Sequence, residues 1–124
     1  MNIAEWLLET AKLKPKSPAI LHGETVTADY ETFARRAAGI ATALRSNYDI
    51  ASGDRVGIFM KNRPEYLEIL YGIWWTGAVV VPINAKLHER EALWILNDAD
   101  VKAVFASTDY ADNLASTEPS PDMQ

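Results

Sequence analysis

The chain has 124 residues, no cysteine and a formal net charge of −5, with 48% hydrophobic and 23% charged residues. One domain with a sizeable core fits that length, and disulfide frameworks, thiolate nucleophiles and cysteine-based metal sites are excluded outright. The charge is uneven: residues 107–124 carry Asp109, Asp112, Glu118 and Asp122 without a Lys or Arg, leaving 13 acids against 12 bases elsewhere, and neither part has the basic patch that nucleic-acid binding requires.

Ile3, Leu7, Leu8 and Ala11, with Trp6 beside them, share one face of a helix expected over about residues 2–13, which Lys14-Pro15 ends. Ala19–Leu21 and Thr25–Thr27 flank His22-Gly23-Glu24, the pattern of a short hairpin whose glycine takes a positive φ. Asp29 caps a helix running to about Ser46, in which Tyr30, Phe33, Ala34, Ala37, Ile40, Ala41 and Leu44 recur at three and four.

Ser52-Gly53-Asp54 then makes a tight turn into Val56–Met60, an unbroken apolar run as in a strand covered on both faces. Pro64 occupies a first helical position, where its fixed φ suits the backbone and its missing N–H costs nothing. Gly77 closes that helix, and Ala78–Ile83 forms a second apolar strand. Two such strands joined by a helix make a parallel βαβ unit. A further helix over about His88–Asn97 precedes a third strand, Val101–Phe105, with Lys102 turned away from its neighbours.

The expected fold is therefore α/β: a partial doubly wound sheet of three mainly parallel strands, with flanking helices and an amino-terminal β-hairpin. It occupies residues 1–106. Residues 107–124, rich in Ser, Thr, Asp and Pro and without a period, read as an acidic loop or disordered tail. Ile69 to Ile83, the longest apolar stretch, is broken by Gly72, Thr76, Gly77 and Pro82 and is too short for a membrane span of about 20 residues. The first residues lack the charged and apolar regions of a secretion signal, so a cytoplasmic domain is expected.

Few positions carry chemistry. Lys61-Asn62-Arg63-Pro64 follows a parallel strand at a helix start, where anions are attracted. Its plainer role is a cap, with Asn62 satisfying free helix N–H groups while Lys61 and Arg63 are solvated. Asn84-Ala85-Lys86-Leu87-His88 occupies the same place after the second strand: Lys86 and His88 face a ligand, or Asn84 shapes a turn and His88 lies near a helix start. His22 and His88 meet in a metal site only by coincidence of folding. Trp74, Trp75 and Trp94 invite an aromatic cage, but Tyr66, Leu67, Ile69, Leu70, Ile73, Trp74 and Trp75 occupy almost the whole girth of their helix, as in one sandwiched between layers. Glu65/Glu68 and Glu89/Glu91 read as surface pairs supporting helix starts. Neither G-x-x-x-x-G-K-[ST] nor G-x-G-x-x-G occurs in the chain.

Six stretches also occur in a telling order: Asn2–Leu7, Pro18-Ala19-Ile20, Asp29–Phe33, Gly53-Asp54-Arg55-Val56, Asn62-Arg63-Pro64-Glu65 and Gly77–Asn84. In sequence and spacing the chain, from residue 2 to about 106, resembles the amino-terminal portion of AMP-forming acyl-CoA synthetases, the adenylate-forming ligases that include long-chain fatty-acid–CoA ligases. Asp29 stands where the family more often has Ser or Thr, and both types cap helices.

The resemblance implies a parent that joins a carboxylic acid, a long-chain or medium-chain fatty acid, to coenzyme A through an acyl-adenylate, using ATP and Mg²⁺. The family's working motifs are a Ser/Thr/Gly-rich phosphate loop ending in Pro-Lys, an aromatic-Gly-x-Thr-Glu stretch, a ribose-holding Asp and a lysine in a small carboxyl-terminal domain. None is matched here, and Ser116-Thr117-Glu118-Pro119 has neither the glycine nor the lysine. No catalytic, cofactor-binding or metal residue is thus assigned, no cofactor is expected on this chain alone, and it is expected to be inactive by itself. Its expected partner is the remainder of the ligase, or another copy through an open sheet edge. The alternatives are a stand-alone α/β interaction or regulatory module derived from such a ligase, and a small-ligand binder using the Lys61–Pro64 corner.

Overall fold

Strand β3, Arg55–Phe59, organises the molecule; its residues after Arg55 are buried on both faces. The structure, a computed structural model, describes residues 3–61 and 63–106. In chain order the elements are α1 (Ala4–Leu13), β1 (Pro18–His22), β2 (Thr25–Asp29), α2 (Tyr30–Tyr48), β3, α3 (Pro64–Trp75), β4 (Val79–Pro82), α4 (Glu89–Asp98) and β5 (Ala103–Ala106). The expected α/β architecture is present. The three-stranded sheet has the order β4-β3-β5, and both pairings are parallel. β1 and β2 form a separate antiparallel hairpin, with Gly23 at φ 63° in its turn.

Because β4 and β5 lie on opposite sides of β3, right-handed crossovers place α3 and α4 on opposite faces of the sheet. Burial agrees. Val56, Ile58 and Met60 pack with Ile69 and Ile73 of α3 and Leu44 of α2. Phe59 packs on the other face with Ala92 and Leu96 of α4. A third cluster, Leu7, Ile20, Ala28, Phe33 and Ala37, joins α1, the hairpin and α2, with Tyr71 and Trp75 of α3 against it. Helix α3 is therefore sandwiched, as its girth of apolar residues requires: Ile69 and Ile73 meet the sheet, while Tyr71 meets Phe33 edge-on at 5.1 Å between ring centroids.

Local signals place the ends. The Asp29 side chain accepts the Thr32 N–H at 2.8 Å and caps α2. That helix runs past Ser46 to Tyr48 and closes on Asp49, a left-handed residue whose N–H bonds the Leu44 carbonyl. Pro64 opens α3, and Gly77, at φ 83°, ends the turn after it. A Cβ on Gly77 would lie 2.8 Å from Ser52 Oγ, so both conformation and space favour glycine. Strand ends differ from the sequence reading by one or two residues, as boundaries set by pairing rather than by composition do.

Two readings need correction. Glu68 is not on a solvated face: it is 7% exposed, and its Oε2 accepts from Arg36 Nη1 at 3.1 Å. α2 crosses α3 at that point, and the cation lies 32 residues away in the chain. Lys102 precedes β5 rather than lying in it, and its Nζ reaches back to the Asp49 carbonyl at 2.6 Å and to Asp54 Oδ2 at 3.3 Å. Residues 107–124 and Asn62, for which a tail and a cap are expected, lie outside the described residues.

Asp29 and Asp54 are both held below the ordinary Asp range, Asp29 chiefly by the Thr32 N–H and Asp54 chiefly by the Ala51 N–H, with Lys102 adding to the latter. A carboxylate whose folded pKa is depressed contributes stability that is present above its unfolded value, near pH 4, and lost as pH falls through the folded value. Thermal melts of this chain should therefore drop more steeply below about pH 4 than those of the double variant D29N/D54N. Parallel curves in that range would show that neither carboxylate contributes.

Candidate functional site

The carboxyl ends of β3 and β4 open into one cleft of about 540 Å³. Parallel α/β sheets bind ligands at that end, where strands stop and helices begin. Buried Met60 and Ile83 and half-buried Tyr66 supply its apolar part, while exposed Lys61, Asn84 and Lys86 supply its polar part. The structure thus joins two corners that are 20 or more residues apart in the chain. Among the described residues no acid lines the cleft, and Lys61 and Lys86 give it positive charge.

Each neighbouring residue has a local reason for its position. Asn84 Oδ1 accepts the Lys86 N–H at 2.9 Å, and the Asn84 carbonyl accepts the Leu87 N–H at 3.0 Å. That Asx turn sets Lys86 at the cleft. His88 is the N-cap of α4: its Nδ1 accepts the Arg90 N–H at 3.1 Å, and its Nε2 lies 3.3 Å from Glu89 Oε1. Both ring nitrogens are engaged in closing the helix start, and His88 does not line the cleft.

Arg63 separates from Lys61. With His22, Pro64 and Leu67 it lines a second cleft, of about 420 Å³, between the hairpin turn and the start of α3; Tyr66 is the wall shared by both. Tyr66 carries no sequence signal for that place, since its helix is apolar on nearly every side. Trp94 lies on the outer side of α4, 67% exposed, and Trp74 stacks edge-on to Tyr71 at 5.1 Å, so the tryptophans form no cage. Among the described residues no three His, Asp or Glu side chains gather to hold a metal ion. Among its described lining residues the cleft has lysines but neither the carboxylate pair that suits Mg²⁺ nor the glycine-rich loop that suits a nucleotide's phosphates.

A family model described as "AMP-binding enzyme" matches residues 7–124. The chain belongs to the AMP-binding enzyme family. Among its relatives, a feruloyl-CoA synthase of Amycolatopsis sp is 32% identical over 114 residues, which cover 92% of this chain and 23% of the relative. The long-chain-fatty-acid–CoA ligase FadD13 of Mycobacterium tuberculosis is 36% identical over 107 residues, covering 83% of this chain and 20% of that ligase. The crystal structure of the N-terminal domain of FACL13 from Mycobacterium tuberculosis superposes with a TM-score of 0.87 at 30% identity, over all of this chain and 33% of that one. The chain spans less than a quarter of the length of these two relatives. Its sheet, hairpin and helices are those of one part of the FACL13 N-terminal domain.

Proposed function

We propose that this chain is the front part of an AMP-forming acid–thiol ligase, with residues 1–106 contributing one α/β portion of the large domain and residues 107–124 an acidic loop or tail. The parent converts a carboxylic acid and ATP to an acyl-adenylate and pyrophosphate; the thiol of coenzyme A then displaces AMP to give the thioester. Fatty acids are the proposed substrates, and the cytoplasm the proposed location. The observation that supports the reading best is the superposition of the whole chain on a third of the FACL13 N-terminal domain, beside 36% identity to a long-chain-fatty-acid–CoA ligase.

The chemistry asks for phosphate clamping and for charge neutralisation where the adenylate forms. ATP, Mg²⁺ and coenzyme A are proposed for the complete enzyme. The residues of this chain build a wall: Met60, Tyr66 and Ile83 shape the cleft, and Lys61 and Lys86 set its positive charge. None of these is a nucleophile or base positioned for reaction, so the isolated chain is proposed to be inactive.

A chimaera tests the reading. This chain replaces the matching segment of the Mycobacterium tuberculosis long-chain-fatty-acid–CoA ligase, and thioester formation is followed with palmitate, dodecanoate, benzoate and ferulate. Activity with the fatty acids is the expected result. A folded chimaera that forms no thioester with any of the four overturns the ligase reading, and preference for benzoate or ferulate overturns the substrate.

A further inference from the structure

The start of α4 is held by a side chain that can gain a proton. His88 takes the N-cap position with extended backbone, φ −66° and ψ 149°. Its Nδ1 accepts the Arg90 N–H at 3.1 Å, and its Nε2 lies 3.3 Å from Glu89 Oε1. An acceptor at Nδ1 and a carboxylate beside Nε2 fit one form of the ring, the neutral imidazole with its hydrogen on Nε2. Helix α2 is capped instead by Asp29, whose carboxylate accepts at any pH above the acid range. Histidine is the side chain whose charge ordinarily changes between about pH 5 and 8.

Protonation puts a hydrogen on Nδ1, aimed at the Arg90 N–H. Both ring nitrogens are then donors, so turning the ring restores no acceptor. The new charge also sits at the positive end of the helix, while Glu89, already beside Nε2, holds the charged ring on its own side. Nearby charges come from the same stretch of chain: Lys86 before the cap, Arg90 and Glu91 after it. Arg55 of β3 meets α4 at its far end, donating to the Ala99 carbonyl at 2.6 Å, and the strands under α4 meet it with apolar side chains, Phe59, Val81 and Ile83 among them. Among the described residues the ring's ion pair is with Glu89 alone.

We propose that His88 is a proton-operated latch on the first turn of α4, closed when the imidazole is neutral and released when it is protonated. The turn it closes follows directly on the Asn84–Leu87 loop, whose Asx turn sets Lys86 at the cleft. Buried Ala92, Leu93 and Leu96 keep the rest of α4 on the sheet in either state, so the change is confined to the helix start. The latch does not depend on the activity or the substrate proposed above.

Amide exchange with water, followed by NMR on the chain and expressed at each pH relative to an unstructured peptide, reads the latch. From about pH 8 down to about pH 5, protection of the Arg90 amide should fall about fivefold, the usual worth of an N-cap. Its midpoint should be that of the His88 ring resonances, and Leu96 should stay protected throughout. His88→Asn keeps an acceptor that does not titrate and should hold Arg90 protection constant over the range. His22→Asn, at the chain's other histidine, should leave the response unchanged. Arg90 protection that does not follow the His88 ring, or that falls equally in His88→Asn, overturns the latch. Loss of Leu96 protection in step with Arg90 overturns it as well, because the whole helix then opens.

Discussion

Replacing Gly72 with alanine should destabilise the chain by about 1–3 kcal/mol, as overpacking of a close crossing does. A Cβ there would lie 2.6 Å from Ile40 Cγ2, 2.8 Å from Ile40 Cβ and 3.1 Å from the Ala37 carbonyl oxygen. Two of those three atoms cannot swing aside, since one is backbone and the other is fixed directly to it. The helix-propensity gain of about 1 kcal/mol from glycine to alanine acts in the opposite direction and is the smaller effect. Gly39, on α2, provides the internal comparison: nothing lies within 4 Å of a Cβ built on it. Gly39→Ala should therefore stabilise by about 0.5–1 kcal/mol. Urea unfolding of the two variants should shift the midpoint in opposite directions. A shift of the same sign in both would mean that α2 and α3 do not cross at Gly72.

The Arg36–Glu68 pair gives the second large effect. Glu68 is buried and its Oε2 is 3.1 Å from Arg36 Nη1, whose side chain is half-exposed. Arg36→Met leaves a carboxylate between α2 and α3 without its cation, and should cost about 2 kcal/mol, in the range for a lost hydrogen bond to a charged group. Combining Arg36→Met with Glu68→Leu removes the charge as well and should recover most of that loss, because a buried pair is often replaceable by apolar side chains of similar volume. Equilibrium unfolding of the two single variants and the double variant closes the cycle. If the double variant is as unstable as the sum of the singles, the two side chains do not interact.

Most of the fold was legible because its signals are local. Asp29 before an apolar period, Pro64 after an apolar run and Gly77 between helix and strand each act through their own backbone or that of the next few residues, and the structure has all three in those roles. Neither the order of the strands nor the burial of Glu68 is local. Strand order depends on which side of β3 each crossover returns to, and Glu68 depends on a cation 32 residues upstream. Three residues from Glu65 on a helix, Glu68 carries the pattern of a surface pair.

The cleft was half legible. Lys61 and Lys86 are read from their places after two parallel strands, and Asn84 from its turn chemistry, yet their meeting in one cleft follows only once β3 and β4 pair. The sequence pattern gave Arg63 to the same corner, whereas the helix start directs it to the hairpin side, beside His22. Helix capping by His88 was one of two open roles, and the Arg90 N–H decides it.

The central claim is that this α/β portion shapes an adenylate-forming ligase without containing its reacting groups. ATP–pyrophosphate exchange by the purified chain alone, with its fold verified by circular dichroism and palmitate, dodecanoate, benzoate and ferulate supplied in turn with Mg²⁺, measures that directly. No exchange above the protein-free control is the predicted result; acid-dependent exchange with any of the four would contradict it.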